Sequence, residues 1–474
     1  MTKPCDLSAV EARRLIGRKI LSPVELLESC INRIEAINPL LNAFVATCFE
    51  RARSETKTAE DAVMGGKELG PLHGLPVGIK DIEETEGLRT TYGSLLLKDY
   101  VPKNDEGIVK KLRKAGAIIL GKTNTSEFAA GAITNNAVYG PTRNPFDLKL
   151  TPGGSSGGSA VAVATNMVPI ATGTDAGGSL RNPASFSGVV GFRPTPGLVP
   201  SDKRLIGNTN FYVPGPMART VEDAALLLSG TACDDPMDPL AGPVDTGSFY
   251  ALPPVDLSRL RVAISEDLGF APVDDGIRAT FRDRVDQFRS AFKTCDEQDP
   301  DLANADDIFW IWRGIHFVAA HKERCEKDPD KIGDMIKKNV ALALELTMED
   351  VAWCKAEETR LYRRFQRFFD DVDILIAPAT SVPPFPVEEP YCSQINGQQL
   401  ERNVSWLAIT YGITHTAHPA IAIPCGKDHT GMPFGIQIVG RRRADAFVLG
   451  VANELERLFA TESELARPVP RLSS

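Results

Sequence analysis

The sequence predicts an α/β protein, a single large domain built on one sheet with helices on both faces. Two observations predict it. Short β-rich runs, each closed by glycine or proline, alternate with helical patterns, and strands separated in this way are covered on both faces by their connections. These runs also resume after a long helical stretch, which places them in one sheet rather than in a string of domains.

The elements follow in order. Residues 1–65 read as a helical layer. Ser22-Pro23-Val24-Glu25 opens a helix with a cap, a proline at the first helical position and a capping-box glutamate. Leu26, Leu27, Cys30, Ile31 and Ile34 recur at helical spacing, and Pro39 is expected to end the run. A polar helix is expected from about Phe49 to Val63. Residues 71–230 carry the strand candidates LPVGIKD, AIILGKTN, VPIATGTD and VVGFRPT, with a helix between Asp105 and Gly116 and another capped at Thr220-Val221-Glu222-Asp223. Residues 235–370 begin as a Pro/Asp/Gly-rich loop to Pro254. They continue through the strand RVAISED into a charged, aromatic helical insertion over roughly 275–371. Residues 371–474 complete the sheet with VDILIAPAT, AIAIPCG and FGIQIVG.

Bulk composition narrows the function. The chain has 474 residues, 43% of them hydrophobic, and a formal net charge of −9. A general binder of nucleic acid or anionic membrane needs a basic surface, so both are excluded as expectations. The short basic run at Arg441 to Arg443 reads as a solvated charge run. Nine widely spaced cysteines without a CxxC argue against a disulfide framework or zinc site and for a reducing compartment. The N-terminus lacks the apolar core of a signal peptide, and no uncharged apolar stretch reaches about 18 residues. The expected location is the cytoplasm.

The stretch PGGSSGGSAVAVATNMVPIATGTDAGGSLR, Pro152 to Arg181, sets two glycine-rich turns around one buried element. It is no linker, because the first turn runs directly into apolar sequence. It is no P-loop, because PGGSSGGSA has no lysine. The Rossmann spacing is missing, and none of the six histidines lies in a triad motif. What remains is serine chemistry with a different base. A serine hydroxyl needs a proton acceptor, and a lysine serves once burial has brought its pKa toward neutrality. Lys80, at the end of the apolar run LPVGIKD, is the candidate. The small residues of GTDAGGS let backbone N–H groups converge on one point. That is an oxyanion hole, worth ~3–4 kcal/mol per donor.

Together these motifs resemble the amidase signature family. The resemblance rests on GGSSGGS at 153–159, GTDAGGSLRNPA at 173–184 and LHGLPVGIKD upstream. It extends to AGAIILGKTNTSEFA, YGPTRNPFD, GFRPTPGLVP, GPMARTVEDAALLL and HPAIAIPCG followed by GMPFGIQIVG. It covers nearly the whole chain and is weakest between about 235 and 370. Ser155 follows Lys80 by 75 residues and precedes Ser179 by 24, which fits the family pattern.

The resemblance implies the family's mixed, twisted sheet and a set of roles. Ser179 is the acylated nucleophile, Ser155 the relay serine on a cis peptide bond, and Lys80 the terminal base. The N–H groups of Ala176, Gly177, Gly178 and Ser179 form the oxyanion hole. Ser156, Asp175 and Arg181 orient the relay and the nucleophile turn. Taken singly, each has an ordinary reading. Ser155 and Ser156 are helix caps, Lys80 is a surface lysine, Asp175 and Arg181 form a structural ion pair, and Ser179 is a turn serine. Their joint occurrence at these spacings overturns those readings.

By the same resemblance, Phe128, Ala129, Ala130, Gly131 and Ile133 line an acyl pocket, with Phe211 and Tyr212 as further apolar walls. Phe309, Trp310, Trp312 and Phe317 read as core packing before substrate contact. The implied activity is an amidohydrolase on hydrophobic or aryl amides, extending to esters or carbamates. The implied partner is a small-molecule amide, with no cofactor, no metal, no nucleic acid and no membrane, and with a homodimer as a compatible assembly. The first alternative is the amidotransferase subunit that supplies ammonia to mischarged tRNA. Asn124–Gly131 and Asn210–Pro214 depart from that subunit's NMDEFAMGS-like and SLD stretches. Alternatives of other classes are an inactive binding protein and a nucleotide-binding protein.

Overall fold

The computed structural model describes residues 3–472. The described residues form thirteen strands: β1 (Phe44–Thr47), β2 (Pro76–Lys80), β3 (Ile118–Thr123), β4 (Ile170–Asp175), β5 (Val190–Arg193), β6 (Val213–Ala218), β7 (Arg261–Ile264), β8 (Thr294–Glu297), β9 (Ile374–Pro378), β10 (Gln394–Ile395), β11 (Gln398–Gln399), β12 (Ala420–Lys427) and β13 (Pro433–Gly440). Eleven form one sheet in the order β1-β3-β2-β4-β6-β5-β12-β13-β9-β7-β8, and β10 and β11 make a separate hairpin. The sheet is mixed. β2 runs parallel to β3 and β4, and β7 parallel to β8 and β9, while the pairings from β4 through β6, β5, β12 and β13 to β9 are antiparallel. Every residue of β2, β3, β4 and β9 is buried, as expected for strands covered on both faces.

Most boundaries follow from local chemistry. Ser22 caps the helix Pro23–Leu41 by accepting the Val24 N–H, while Glu25 accepts the Ser22 N–H in return. The expectation that Pro39 ends this helix is corrected. Pro39 lies in the last turn, and the helix stops at Asn42, whose left-handed φ of 52° closes it. Thr220 caps Val221–Thr231 through the Asp223 N–H.

Three strands of the large sheet escape pattern reading. β1 has four residues, β6 carries Pro214 and Pro216, and β8 lies inside the insertion expected to be helical. β6 tolerates its prolines because both lie outside the stretch that β5 pairs, Met217 and Ala218, so the missing N–H groups cost that pairing nothing. The helices Asp275–Phe288, Ala305–Lys327, Asp334–Ala343 and Met348–Phe368 make up the rest of the insertion. Among the described residues no helix is long and apolar enough to cross a membrane.

Parallel β2 and β4 bring their carboxyl ends, at Lys80 and Asp175, to the same edge of the sheet, and turns at this edge are where open α/β sheets hold ligands. The serine-rich turn feeds the helix Gly157–Ala164, in which every residue is buried. Its glycines serve close packing: a Cβ on Gly158 would lie 2.3 Å from the Asn124 nitrogen.

Candidate active site

Lys80 ends an all-buried strand and is itself 0% exposed. Its Nζ lies 2.7 Å from Ser155 Oγ, 2.8 Å from Ser156 Oγ and 2.8 Å from Thr174 Oγ1. Burial lowers its pKa to about 7, against the opposing charges of Glu83 and Asp175. The surface-lysine reading is therefore excluded. The cap reading fails as well. Ser156 stands at the N-cap of Gly157–Ala164 without capping it, and its hydroxyl instead donates to the Thr174 carbonyl at 3.3 Å. The Gly154–Ser155 peptide bond is cis.

Asp175 closes the adjacent strand as the anchor of the second turn. Its carboxylate accepts from Gly178 N at 3.0 Å and Leu180 N at 3.2 Å. It pairs with Arg181 at 3.0 Å and Arg193 at 3.2 Å, all three side chains fully buried. Burial pushes the carboxyl up, but the two guanidinium charges outweigh burial and hold it well below the usual carboxylate range. Arg193 donates to the Asp175 carbonyl at 2.7 Å, and Arg181 reaches Gln437 Oε1 at 3.0 Å. The turn is thereby tied to the C-terminal half of the sheet. Ser179, half-buried, projects from this braced turn.

The oxyanion expectation narrows. The Gly178 N–H is committed to Asp175, whereas the N–H groups of Ala176, Gly177 and Ser179 enter no loop or cap hydrogen bond among the described residues. Gly178 has φ 115°, and a Cβ there would meet Thr410 Oγ1 at 2.3 Å, so glycine is required. Thr410 in turn donates to the Gly177 carbonyl at 2.7 Å.

The expected pocket residues separate into two groups. Phe211 stacks on Phe309 and His316, with ring centroids 5.5 and 4.5 Å apart. Phe309 also stacks on Tyr411 at 4.1 Å and lies where a Cβ on Gly177 would meet it at 2.9 Å. The helical layer thus packs directly on the Ser179 turn. Phe128 and Ala130 belong instead to a small satellite core with Phe317, Ile336 and Val340. Phe128 and Ala129 hold φ values of 48° and 57°. Gly131 is clamped by Ser126, whose Oγ both accepts its N–H and donates to its carbonyl at 3.1 Å. Ile133 backs onto Gly154, where an added Cβ would lie 2.6 Å from the Ile133 carbonyl carbon. Tyr212 is half-buried by surface area, and its hydroxyl is pushed up by burial and then by the charges of Glu106 and Glu83.

Several participants escape sequence reading. Thr172 and Thr174 alternate along β4, so both point to one face. Thr174 contacts Lys80 Nζ, and Thr172 accepts the Lys80 backbone N–H at 3.0 Å while donating to Glu83. Two hydroxyls at period two in an otherwise apolar strand are the available signal. Glu83 is fully buried and pushed up by burial to about 7. Lys122 donates to the Glu83 carbonyl.

Comparisons with known proteins give the family. A family model described as Amidase matches residues 25–449. The chain belongs to the amidase family. It is 34% identical over 95% of its length to an acylamidase from Rhodococcus erythropolis, covering 95% of that protein. It is 32% identical over 98% of its length to a glutamyl-tRNA(Gln) amidotransferase subunit of Carboxydothermus hydrogenoformans, covering 99% of it. Among solved structures it resembles a bacterial aryl acylamidase of the amidase signature enzymes with a TM-score of 0.89 and 29% identity, over 95% of this chain and 96% of that one. The protein is an amide-hydrolysing enzyme.

Proposed function

We propose that this amidase cleaves linear amides with an aryl or hydrophobic character through a Ser179–Ser155–Lys80 relay and an acyl-enzyme on Ser179. The single observation that carries the reading is the buried lysine in contact with the relay serine, beside a turn braced by Asp175. Neutral Lys80 has two N–H bonds and one lone pair. Ser156 spends its own proton on the Thr174 carbonyl, so it accepts from Lys80, and Thr174 Oγ1 accepts the second N–H. The lone pair is left for the Ser155 hydroxyl. A protonated Lys80 has three donors for the same three oxygens, so the cage accommodates both states of the base.

As Ser179 Oγ attacks the carbonyl carbon, its proton passes to Ser155 and the Ser155 proton to Lys80. The new oxyanion is held by the N–H groups of Ala176, Gly177 and Ser179. When the C–N bond breaks, Ser155 returns a proton to the departing amine and is reprotonated by Lys80. Water then cleaves the ester of Ser179 by the same route. The acylamidase relatives support an acyl-aryl amide as substrate. The amidotransferase relatives support a second reading, a glutamine amidase working with partner subunits.

The test is amine release from anilides, primary amides, peptide amides, esters and carbamates by wild type and Ser179→Ala in parallel. Turnover lost in the variant supports the hydrolase. Activity that needs glutamine and partner subunits supports the second reading. Equal turnover by both proteins would overturn the assignment of Ser179.

A further inference from the structure

Arg313, on the helix Ala305–Lys327, is a buried cation without an anion. Its Nη1 donates to Asn339 Oδ1, and its Nη2 to the Ala130 carbonyl at 3.3 Å and Met335 Sδ at 3.5 Å. Its guanidinium lies 4.3 Å from the Phe317 ring centroid. All of these neighbours are neutral, and burial alone lowers its pKa to about 9. Arg324, further along the same helix, lies 4.6 Å from the Phe128 ring centroid and donates to His321 Nδ1 at 3.2 Å. Neither arginine makes an ion pair with a carboxylate among the described residues. Glu127, the acid on the neighbouring segment, accepts instead from Ser94 Oγ at 2.7 Å and Gly333 N at 3.0 Å.

A buried charge is ordinarily paired, because leaving one unpaired is expensive. The Arg313 guanidinium, buried with no acid beside it, is half of an ion pair. The place is informative. Ala130, whose carbonyl Arg313 holds, lies three residues before Ile133, which backs onto Gly154 beside the relay serine. The Arg313 Nε donates to no group among the described residues, and a guanidinium with an uncommitted N–H suits a carboxylate oxygen.

We propose that Arg313 is a specificity-determining residue that receives a carboxylate on the acyl portion of the substrate. The preferred substrates are then mono-amides of dicarboxylic acids with an aryl amine as leaving group. This rests on the hydrolase reading above.

The test compares glutaryl-p-nitroanilide with 5-methylhexanoyl-p-nitroanilide, in which an isopropyl group replaces the carboxylate. Wild type favours the glutaryl compound in kcat/KM. The ratio between the two falls by roughly 30-fold in Arg313→Met, the scale of one charge-assisted hydrogen bond, and is partly restored in Arg313→Lys. A wild-type ratio at or below one, or a ratio unchanged in Arg313→Met, overturns the proposal. A second measurement needs no turnover. Glutarate raises the melting temperature of Ser179→Ala in a concentration-dependent way, 5-methylhexanoate does not, and the effect is lost when Arg313→Met is added. If wild type hydrolyses neither anilide, the hydrolase reading fails, and the glutarate shift still decides whether Arg313 binds the anion. No shift with glutarate overturns it.

Discussion

Lys80 Nζ stands 2.7 Å from Ser155 Oγ in a position closed to solvent. The pair links the end of β2 to the serine-rich turn, and the contact is made by a lysine whose pKa burial lowers to about 7.

The first consequence is a pH profile. Only unprotonated Lys80 accepts the Ser155 proton, so kcat/KM climbs as pH rises through about 7 and levels off above it. Below that limb the lysine is protonated and the relay has no acceptor. A profile measured on one anilide across this range checks it. A rate that falls as pH rises through the same region contradicts it.

Glu83 moves that limb. Its charge opposes the burial that lowers Lys80, and its carboxyl receives the Thr172 hydroxyl that also accepts the Lys80 backbone N–H. In Glu83→Gln the opposing charge is gone, the Lys80 pKa drops, and the acid limb shifts to lower pH. Glu83 itself is raised to about 7, so the wild-type limb reports the coupled pair. A limb displaced upward in the variant would count against the assignment.

Thr174→Val removes one of the three oxygens around Nζ while keeping the side chain's shape. One hydrogen bond to a charged group is worth ~1.5–3 kcal/mol, so kcat falls by roughly 10- to 100-fold with KM little changed. Ser156→Ala acts in the same direction. Steady-state kinetics on both variants read the split between kcat and KM.

Asp175→Asn strips the charge from a carboxylate that neutralises two buried guanidiniums, Arg181 and Arg193. Breaking a buried pair in this way destabilises by ~3–5 kcal/mol. Urea unfolding followed by circular dichroism shows a correspondingly lower midpoint, and the turnover of the variant collapses because the Ser179 turn loses its brace. A midpoint equal to wild type would mean that the arginines are compensated elsewhere.

The legibility of this molecule in its sequence divides along physical lines. Runs such as LPVGIKD and VPIATGTD declare themselves because a strand buried on both faces must be apolar throughout, and a lone lysine or aspartate at its end then stands out. Lys80 is visible for that reason, whereas Ser155, Asp175 and Arg181 are visible through motif spacing. Arg193 sits in GFRPT with no visible role, because its partner is 18 residues away and on another strand. β6 is hidden by its prolines, which read as turn until the one-sided pairing with β4 is known. Phe128 and Phe211 look like walls of one pocket because both are aromatic and border the site's motifs in the chain. Only the tertiary packing separates them into the satellite core and the stack on Phe309. Gly178 looks like an oxyanion donor because a glycine-rich turn offers several N–H groups, and it takes the folded turn to show that the Asp175 carboxylate claims one of them.

The central claim is an acyl group carried on Ser179 by a relay that ends at Lys80. Mass spectrometry of the protein quenched during turnover of an activated aryl ester tests it most directly, with peptide mapping and with Lys80→Ala run alongside. The account predicts one acyl group on the peptide containing Ser179 in wild type and strongly reduced acylation in Lys80→Ala. Acylation at another residue, or equal acylation of Ser179 in both proteins, would contradict it.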